Sequence, residues 1–133
     1  MTRVWLALGS NLGDRDAYLA AARDALSKAG VALVRESRVA ETDPVGITNQ
    51  PRFKNQVLEV ETTLAPRQLL ERVKRIEHEL GRQARERWGP REIDIDILRY
   101  DNRSVDEPGL HIPHPELQNR PFLLELIGEL EKR

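Results

Sequence analysis

The sequence predicts an α+β domain spanning residues 1–133, with an antiparallel sheet and helices packed on it. Three observations support this prediction. The length of 133 residues is suited to one hydrophobic core. Strand-like and helix-like runs follow one another in the order β-α-β-β-α-β. Clusters of glycine, proline and asparagine separate these runs, and no linker divides the chain.

The first half of the chain reads as strand, helix and strand. Residues 3–9 form an apolar run that ends in Gly-Ser-Asn, which predicts a buried strand. Asp14 and Asp16 favour the start of a helix, and Gly30 closes it as a C-cap. Residues 31–42 are strand-like.

The second half repeats this order. A loop at residues 43–51 leads to a strand at 53–62, in which residue types alternate. Pro66 opens a second helix, whose apolar stripe runs to Leu80 and stops at Gly81.

A long charged loop, residues 82–92, precedes the last predicted strand at 93–99. A further loop to Pro113 leads to a short C-terminal helix at residues 121–130. The complete order is that of the ferredoxin-like βαββαβ sandwich, in which helices pack on one antiparallel sheet.

Composition excludes several classes of function. The 21 basic and 22 acidic residues give a net charge of −1, which argues against a protein that binds long polyanions such as nucleic acid. The absence of cysteine excludes disulfides, cysteine-zinc sites and thiol catalysis. No apolar run approaches the ~18–20 residues of a membrane helix, or forms the core of a signal peptide. We therefore expect a cytoplasmic monomer with no nucleic-acid or membrane partner.

The basic residues are skewed toward arginine, with 17 arginines and only four lysines. A GC-rich or heat-adapted genome explains this excess, and so does phosphate recognition, because the guanidinium is a planar fork of donors. Composition alone leaves both explanations open.

An acidic pair stands in the last predicted strand, where isoleucine alternates with aspartate. Because side chains two residues apart share a face of a strand, Asp94 and Asp96 lie together, opposite the isoleucines. Two neighbouring carboxylates repel each other, and Mg²⁺ removes that conflict. A solvent-facing strand that happens to alternate is the simpler explanation of the pair taken alone.

The loop before this strand is cationic. Between residues 82 and 91, Arg82, Arg85, Arg87 and Arg91 face only Glu86, a net charge of +3 in a nearly neutral protein. Arginines beside paired carboxylates suit metal-assisted phosphoryl transfer, in which Mg²⁺ and guanidiniums neutralise phosphate charge. A solvated charged loop is the alternative.

Two further segments carry polar residues of interest. His114 lies between two prolines, where a phosphate-contacting or acid/base role is plausible and a zinc ligand is not indicated. The turn at residues 9–13 follows a strand but lacks the Gly-Lys-Ser/Thr ending of a nucleotide-binding P-loop, so it reads as a tight turn.

Together these motifs resemble the 6-hydroxymethyl-7,8-dihydropterin pyrophosphokinase family, an enzyme family of folate synthesis. The matching motifs are Leu8-Gly9-Ser10-Asn11-Leu12-Gly13, Phe53-Lys54-Asn55, Arg87-Trp88-Gly89-Pro90-Arg91 with Asp94-x-Asp96, and Pro113-His114 with Asn119-Arg120 and Phe122. They occur in order and cover most of the chain. The block from Arg87 to Asp96 is the specific one.

The resemblance implies transfer of pyrophosphate from MgATP to the pterin hydroxymethyl group, with release of AMP. It implies two Mg²⁺ ions on Asp94 and Asp96, and catalytic roles for these aspartates and for Arg82 and Arg91. It implies ATP contacts from Glu77, Arg82, Arg85, Arg87, Trp88, Arg91, Ile97, His111, His114 and Arg120. It implies pterin contacts from Gly9, Thr42, Pro44, Val45, Phe53, Asn55, Asp94 and Phe122.

The chain departs from the family pattern at several positions. Lys74 stands where a neutral polar residue is expected, Asp43 replaces a proline, and Pro115 stands where some members carry an aromatic residue. The loop after residue 81 is one residue shorter, so Arg85 takes either of two basic roles. The sequence also ends sooner than in most relatives, and we expect a short, C-terminally truncated member that keeps its activity.

Two other functions remain open on the sequence. One is a different two-metal enzyme on the same sheet, such as a nucleotidyltransferase or phosphodiesterase, for which Glu59 or Glu61 would supply a further carboxylate. The other is a non-catalytic module that binds RNA or a small effector.

Overall fold

The fold is taken from a computed structural model, which describes residues 1–44, 46–82 and 89–132. In chain order the elements are β1 (Thr2–Ser10), α1 (Arg15–Lys28), β2 (Val31–Glu36), β3 (Ala40–Thr42), β4 (Phe53–Thr62), α2 (Pro66–Glu79), β5 (Asp94–Tyr100), β6 (Val105–Glu107), β7 (Leu110–Ile112), a 3-10 turn (Leu117–Asn119) and α3 (Pro121–Glu131).

The main sheet is antiparallel, with the strand order β2-β4-β1-β5 and β3 paired to β4 beyond the end of β2. This order confirms the ferredoxin-like βαββαβ arrangement predicted from the sequence. The central strand β1 brings its neighbours into register, because Gly9 pairs with Asn55 of β4 on one side and with Asp94 of β5 on the other.

Helices α1 and α2 cover one face of the sheet. The stripes predicted from helical spacing supply the buried contacts, including Leu19 and Leu26 of α1 and Val73 of α2. Asp14 caps α1 by accepting a hydrogen bond from the Ala17 N–H at 3.0 Å. Alternation in β1 sends every second residue into this core, as is usual for a strand with one helix-covered face.

Helix α3 covers the opposite face of the sheet. Its residues Leu126, Ile127 and Leu130 pack in a second cluster with Val57 of β4 and Leu98 of β5. The sheet is therefore protected on both faces, whereas the βαββαβ order alone placed helices on one. No helix in the described ranges is long and apolar enough to cross a membrane.

The strand predicted at residues 31–42 is in fact two strands. The pairing of β2 with β4 shifts register between Leu33 and Arg35, and β3 begins a new pairing at Ala40. Ser37 bridges the gap, since its N–H donates to the Val57 carbonyl and its Oγ accepts from the Val57 N–H, both at 2.9 Å. After the register shift, Ser37 and then β3 resume hydrogen bonding to β4.

The loop predicted before Pro113 contains a small hairpin. Strands β6 and β7 pair over three residues each and turn through Gly109, which has φ +73°. These strands are too short to give a periodic signal in the sequence. The hairpin matters because its second strand carries His111 to the candidate site.

Candidate active site

A cavity of about 440 Å³ opens where β1 ends and where β4 and β5 begin. Gly9 lies at its base, between the strand positions of Asn55 and Asp94. Twelve of the residues predicted for the site line this cavity: Gly9, Thr42, Phe53, Asn55, Arg91, Asp94, Asp96, Ile97, His111, His114, Arg120 and Phe122. The fold thus brings together side chains from four parts of the chain.

One corner of the cavity combines aromatic and amide groups. Phe53 and Phe122 are both half-buried and line it from β4 and α3. The Asn55 Nδ2 donates to Thr42 Oγ1 at 2.6 Å, which fixes the amide of Asn55. A Cβ on Gly9 would lie 3.1 Å from Asn55 Oδ1, so a glycine allows this close approach. The corner suits a flat molecule with a polar edge.

The acidic pair lies on the face of β5 predicted from the sequence. Ile95 and Ile97 enter the core beneath α1 and α2, whereas Asp94 and Asp96 line the cavity. Arg91 Nη1 lies 3.0 Å from Asp94 Oδ2, and Arg82 Nη1 lies 3.4 Å from Asp94 Oδ1. Two guanidiniums from the cationic loop therefore flank one of the two carboxylates.

The two aspartates have opposite pKa shifts. Burial acts to raise the pKa of Asp94, but the charges of Arg91 and Arg82 and a hydrogen bond with Asp96 hold it below its usual value. Burial, the charge of Asp94 and the shared hydrogen bond raise the pKa of Asp96 well above its usual value. His114 Nε2 lies 3.9 Å from Asp96 Oδ1. With its raised pKa, Asp96 keeps its proton to a higher pH than a free aspartate, and a bound cation would favour its ionised form.

The donor set fits Mg²⁺ that arrives with a phosphate ligand. Within residues 1–44, 46–82 and 89–132 no group of three or more histidine or acidic residues could hold a metal ion. Asp94 and Asp96 alone match the usual protein share of a magnesium site, in which one or two carboxylates are joined by water and substrate phosphates. The two carboxylates therefore fit such a cation by donor type and number.

Glu77 lies behind the acidic pair and is almost fully buried. Its Oε2 accepts from the Ile95 N–H at 2.7 Å, so it holds β5 at the point between the two aspartates. Its Oε1 lies 3.0 Å from Arg82 and 3.5 Å from Lys74. Burial and the charge of Asp94 raise the pKa of Glu77.

His114 is held as a neutral ring. The Glu116 N–H points at His114 Nδ1 at a distance of 3.1 Å, so Nδ1 accepts and the proton resides on Nε2. Burial, and then the charge of Arg120, lower the pKa of His114, which keeps this neutral form near pH 7. The backbone N–H of His114 donates to the Leu98 carbonyl at 3.0 Å, which ties the residue to β5. Nε2 is thus available as a donor to an anion.

His111 lines the cavity from the hairpin. Its Nδ1 lies 2.8 Å from Asp106 Oδ1, directly across the two strands. The pair is exposed, and it was not predicted from the sequence because the hairpin brings the two residues together.

Asn11 is a residue of the site that the sequence interpretation missed. The prediction of a tight turn at residues 9–13 assigned it no role, yet it is fully buried. Its Oδ1 accepts from the Arg91 N–H at 2.8 Å, and its Nδ2 donates to Gln50 Oε1 and the Pro51 carbonyl. Asn11 therefore joins the loop that carries Arg91 to the loop that precedes Phe53.

Some predicted residues do not line the cavity. Glu77 and Arg82 stand behind Asp94, and Pro44 lies off the wall. Four more fall outside the described residues: Val45, Arg85, Arg87 and Trp88. Among the departures from the family pattern, Asp43, Lys74 and Pro115 all line the cavity.

Neither Glu59 nor Glu61 joins the acidic pair. Glu59 is buried and is bound by Arg3 and Arg35, while Glu61 accepts from Arg3 at 2.6 Å. Both glutamates therefore balance arginines on the sheet, and neither supplies the third carboxylate that a nucleotidyltransferase-type site would use.

The sequence of this chain is similar to those of known proteins. The sequence profile of 7,8-dihydro-6-hydroxymethylpterin-pyrophosphokinase (HPPK) matches residues 5–132. The chain is 42% identical over 127 residues to the 2-amino-4-hydroxy-6-hydroxymethyldihydropteridine pyrophosphokinase of Bacillus subtilis, covering 95% of this chain and 76% of that one. It is also 42% identical over 131 residues to the protein of the same name from Aquifex aeolicus, covering 98% and 81%.

The fold resembles a solved structure as well. The HPPK-DHPS protein of Plasmodium falciparum superposes with a TM-score of 0.68 at 15% identity, and this chain spans 39% of its length. That likeness concerns the fold alone. The profile match and the two bacterial relatives show that the chain belongs to the 7,8-dihydro-6-hydroxymethylpterin-pyrophosphokinase family, which confirms the pyrophosphokinase activity predicted from the sequence.

Proposed function

We propose that the cavity at the end of β1 is where pyrophosphate passes from ATP to the hydroxymethyl group of the dihydropterin. The observation that carries this proposal is the position of the acidic pair. Asp94 and Asp96 share one cavity with the aromatic corner on one side and with Arg91, His114 and Arg120 on the other. A flat acceptor and a polyphosphate can therefore meet over the two carboxylates.

The pterin ring binds in the aromatic corner. Phe53 and Phe122 stack on the ring, which contributes ~0.5–1.5 kcal/mol beyond the buried area. Asn55, oriented by Thr42, hydrogen-bonds the polar edge of the ring. Gly9 leaves room beneath the ring. Pro44 and Val45 remain pterin contacts predicted from the family resemblance.

The nucleotide binds on the cationic side. Arg91 and Arg82 turn from Asp94 to phosphate oxygens, and their charge balances the transition state. His114, neutral and protonated at Nε2, donates to a phosphate oxygen beside Arg120. Ile97 and His111 hold the nucleoside. Arg85, Arg87 and Trp88, which lie outside the described residues, remain ATP contacts predicted from the family resemblance. Glu77 supports this side from behind.

Asp94 and Asp96 would hold two Mg²⁺ ions, which would supply charge neutralisation at the phosphates and a lower pKa of the attacking hydroxyl. The aspartates fix where that charge would lie, since Arg82 and Arg91 hold the Asp94 carboxylate in place before the nucleotide binds. No protein base is needed at the hydroxyl, and the remaining contribution is the alignment of acceptor and donor.

Further features belong to this proposal. The chain acts as a single domain over residues 1–133, as a monomer, in the cytoplasm and without a nucleic-acid partner. The near-neutral charge supports the last point, because the cations are concentrated at a cavity of small-molecule size. Gel filtration at micromolar concentration tests the monomer directly.

Product analysis tests the reaction. With ATP, Mg²⁺ and hydroxymethyldihydropterin, we expect equal amounts of AMP and pterin diphosphate, measured by chromatography with fluorescence detection of the pterin. Release of free pyrophosphate would indicate a nucleotidyltransferase instead. Binding of ATP without any product would support a non-catalytic module. Either result would contradict the proposal.

A further inference from the structure

Two cations share one carboxylate oxygen beside the acidic pair. Oε1 of Glu77 lies 3.0 Å from Arg82 Nη1 and 3.5 Å from Lys74 Nζ. The same Nη1 of Arg82 also lies 3.4 Å from Asp94 Oδ1. The Glu77 side chain is only 3% exposed, so water cannot balance its charge. Whenever it is ionised, this buried carboxylate therefore depends on its cations.

Arg82 cannot serve Glu77 and a nucleotide with the same atom. Its Nη1 is already divided between two carboxylates. When Asp94 takes Mg²⁺, its need for Arg82 falls, and the guanidinium remains tied to Glu77 alone. Moving it to a phosphate would leave a buried carboxylate without its cation, which is strongly unfavourable.

Lys74 has the right position to replace Arg82 at Glu77. It lies on α2 one turn before Glu77, and its side chain is 57% exposed, compared with 24% for Arg82. Its distance of 3.5 Å from Oε1 exceeds that of a good charged hydrogen bond, so the ammonium has room to approach further. Its flexible stem allows that approach without moving the helix.

We propose that Lys74 is a positioning residue that becomes the counter-ion of Glu77 when Arg82 turns to the nucleotide. Lys74 acts through Glu77 and Arg82, and it frees the guanidinium for the transfer. This inference rests on the proposed function of the cavity. It also gives a physical role to a lysine that stands where the family pattern has a neutral side chain.

A direct contact between Lys74 and ATP is the competing explanation, because Lys74 lines the cavity. The two explanations differ in how they depend on Glu77. A counter-ion is needed only while Glu77 is charged, whereas a direct contact with ATP is needed regardless.

A double-mutant cycle separates them, with kcat and KM for ATP measured in Mg²⁺ for the wild type, Lys74→Gln, Glu77→Gln and the double variant. We expect Lys74→Gln to lower kcat about tenfold in the wild type and by less than about twofold in the Glu77→Gln background. Lys74→Arg should retain activity within about threefold. Lys28→Gln, which removes an exposed lysine far from the cavity, is the matched control.

A tenfold loss that persists in the Glu77→Gln background would overturn the inference, and so would a Lys74→Gln variant with wild-type kinetics. Failure of the proposed function would look different, since the wild type itself would then form no AMP. If Glu77→Gln turns over too slowly, the same cycle is run on the Kd of a non-hydrolysable ATP analogue in Mg²⁺. Circular dichroism of each variant checks that the fold is kept.

Discussion

Asp94 and Asp96 are the same residue type on the same strand, yet they hold protons very differently. Asp94 is ionised between two arginines, whereas Asp96 has its pKa raised by burial and by the charge of Asp94. Ionisation of Asp96 lowers the free energy of unfolding of the metal-free protein, because it places two negative charges side by side. Such a conflict is common where a site is built for a cation.

Asp96→Asn should therefore stabilise the metal-free protein at neutral pH. Because the folded-state pKa of Asp96 is raised, its stabilising contribution is present below the unfolded value of about 3.9 and is lost as pH rises through the raised pKa. Asparagine avoids that loss and still donates to Asp94. We expect a gain on the order of 1 kcal/mol, about 2–5 °C in Tm, since solvent screens this partly exposed group.

Thermal unfolding in EDTA at pH 8 and pH 4 measures this effect. The gain should be present at pH 8 and should shrink toward zero at pH 4, where the wild-type Asp96 is protonated. A gain of equal size at both pH values, or a loss at pH 8, would contradict the opposed pKa shifts.

Gly9→Ala should weaken pterin binding selectively. The added Cβ would lie 3.1 Å from Asn55 Oδ1, so the Asn55 amide must shift, and it would contact Phe53 Cδ1 at 3.7 Å. We expect KM for the pterin to rise about tenfold, ~1.4 kcal/mol, with KM for ATP within about twofold.

Gly128→Ala is the matched control for that substitution. Gly128 lies within α3, and a Cβ there meets nothing within 4 Å. Alanine should leave both KM values unchanged and should raise stability by up to about 1 kcal/mol through helix propensity. Equal effects of the two substitutions on pterin KM would remove Gly9 from the proposed pocket.

The strands and helices themselves follow mostly from local patterns. The apolar run of β1, the cap at Asp14 and the stripe of α2 each place their element within a residue or two. The break between β2 and β3 does not, because Ser37 hydrogen-bonds to a strand 20 residues away in the chain. Strands β6 and β7 are too short to show a periodic pattern of apolar residues. The face of the sheet on which α3 packs depends on tertiary contacts.

The sequence predicts those parts of the candidate site whose residues lie close together in the chain. Asp94 and Asp96 share a face because a strand alternates, and Arg91 lies three residues before Asp94. Asn11 and the pair of His111 with Asp106 act through contacts between distant or folded-back segments. Local sequence patterns do not show which distant residues come into contact.

Helix α3 should be required for stability and for the shape of the aromatic corner. Leu126 is about 1% exposed in the second core cluster, and Phe122 lies one turn before it on the same helix. Leu126→Ala should reduce the free energy of unfolding by about 2–5 kcal/mol and should raise KM for the pterin. Urea denaturation and steady-state kinetics measure the two effects.

Glu125→Ala provides the control on the same helix. Its side chain is 65% exposed and is paired with Arg38 at 2.7 Å, so its loss should cost less than about 1 kcal/mol. A Leu126→Ala variant that is as stable as Glu125→Ala would mean that α3 is not a structural part of the core.

At the scale of the whole molecule, a chain with a net charge of −1 concentrates opposite charges in one place. Arginines and histidines face an acidic pair across a cavity, while most other arginines, such as Arg3 and Arg38, pair with glutamates on the surface of the sheet and α3. This distribution suits a small polyanion bound with metal. As a member of its family, the chain transfers pyrophosphate from ATP to hydroxymethyldihydropterin.

The central claim is that the acidic pair of β5 carries this transfer. The most direct test measures the rate of AMP formation from ATP, Mg²⁺ and hydroxymethyldihydropterin for the wild type, Asp96→Asn and Asp101→Asn. Asp101 is an exposed residue after β5 with φ 52°, a conformation that asparagine tolerates, so its substitution makes the same chemical change away from the cavity. The account predicts that Asp101→Asn matches the wild type and that Asp96→Asn is slower by about 1,000-fold or more, ~4 kcal/mol. Wild-type rates from a folded Asp96→Asn variant would contradict it.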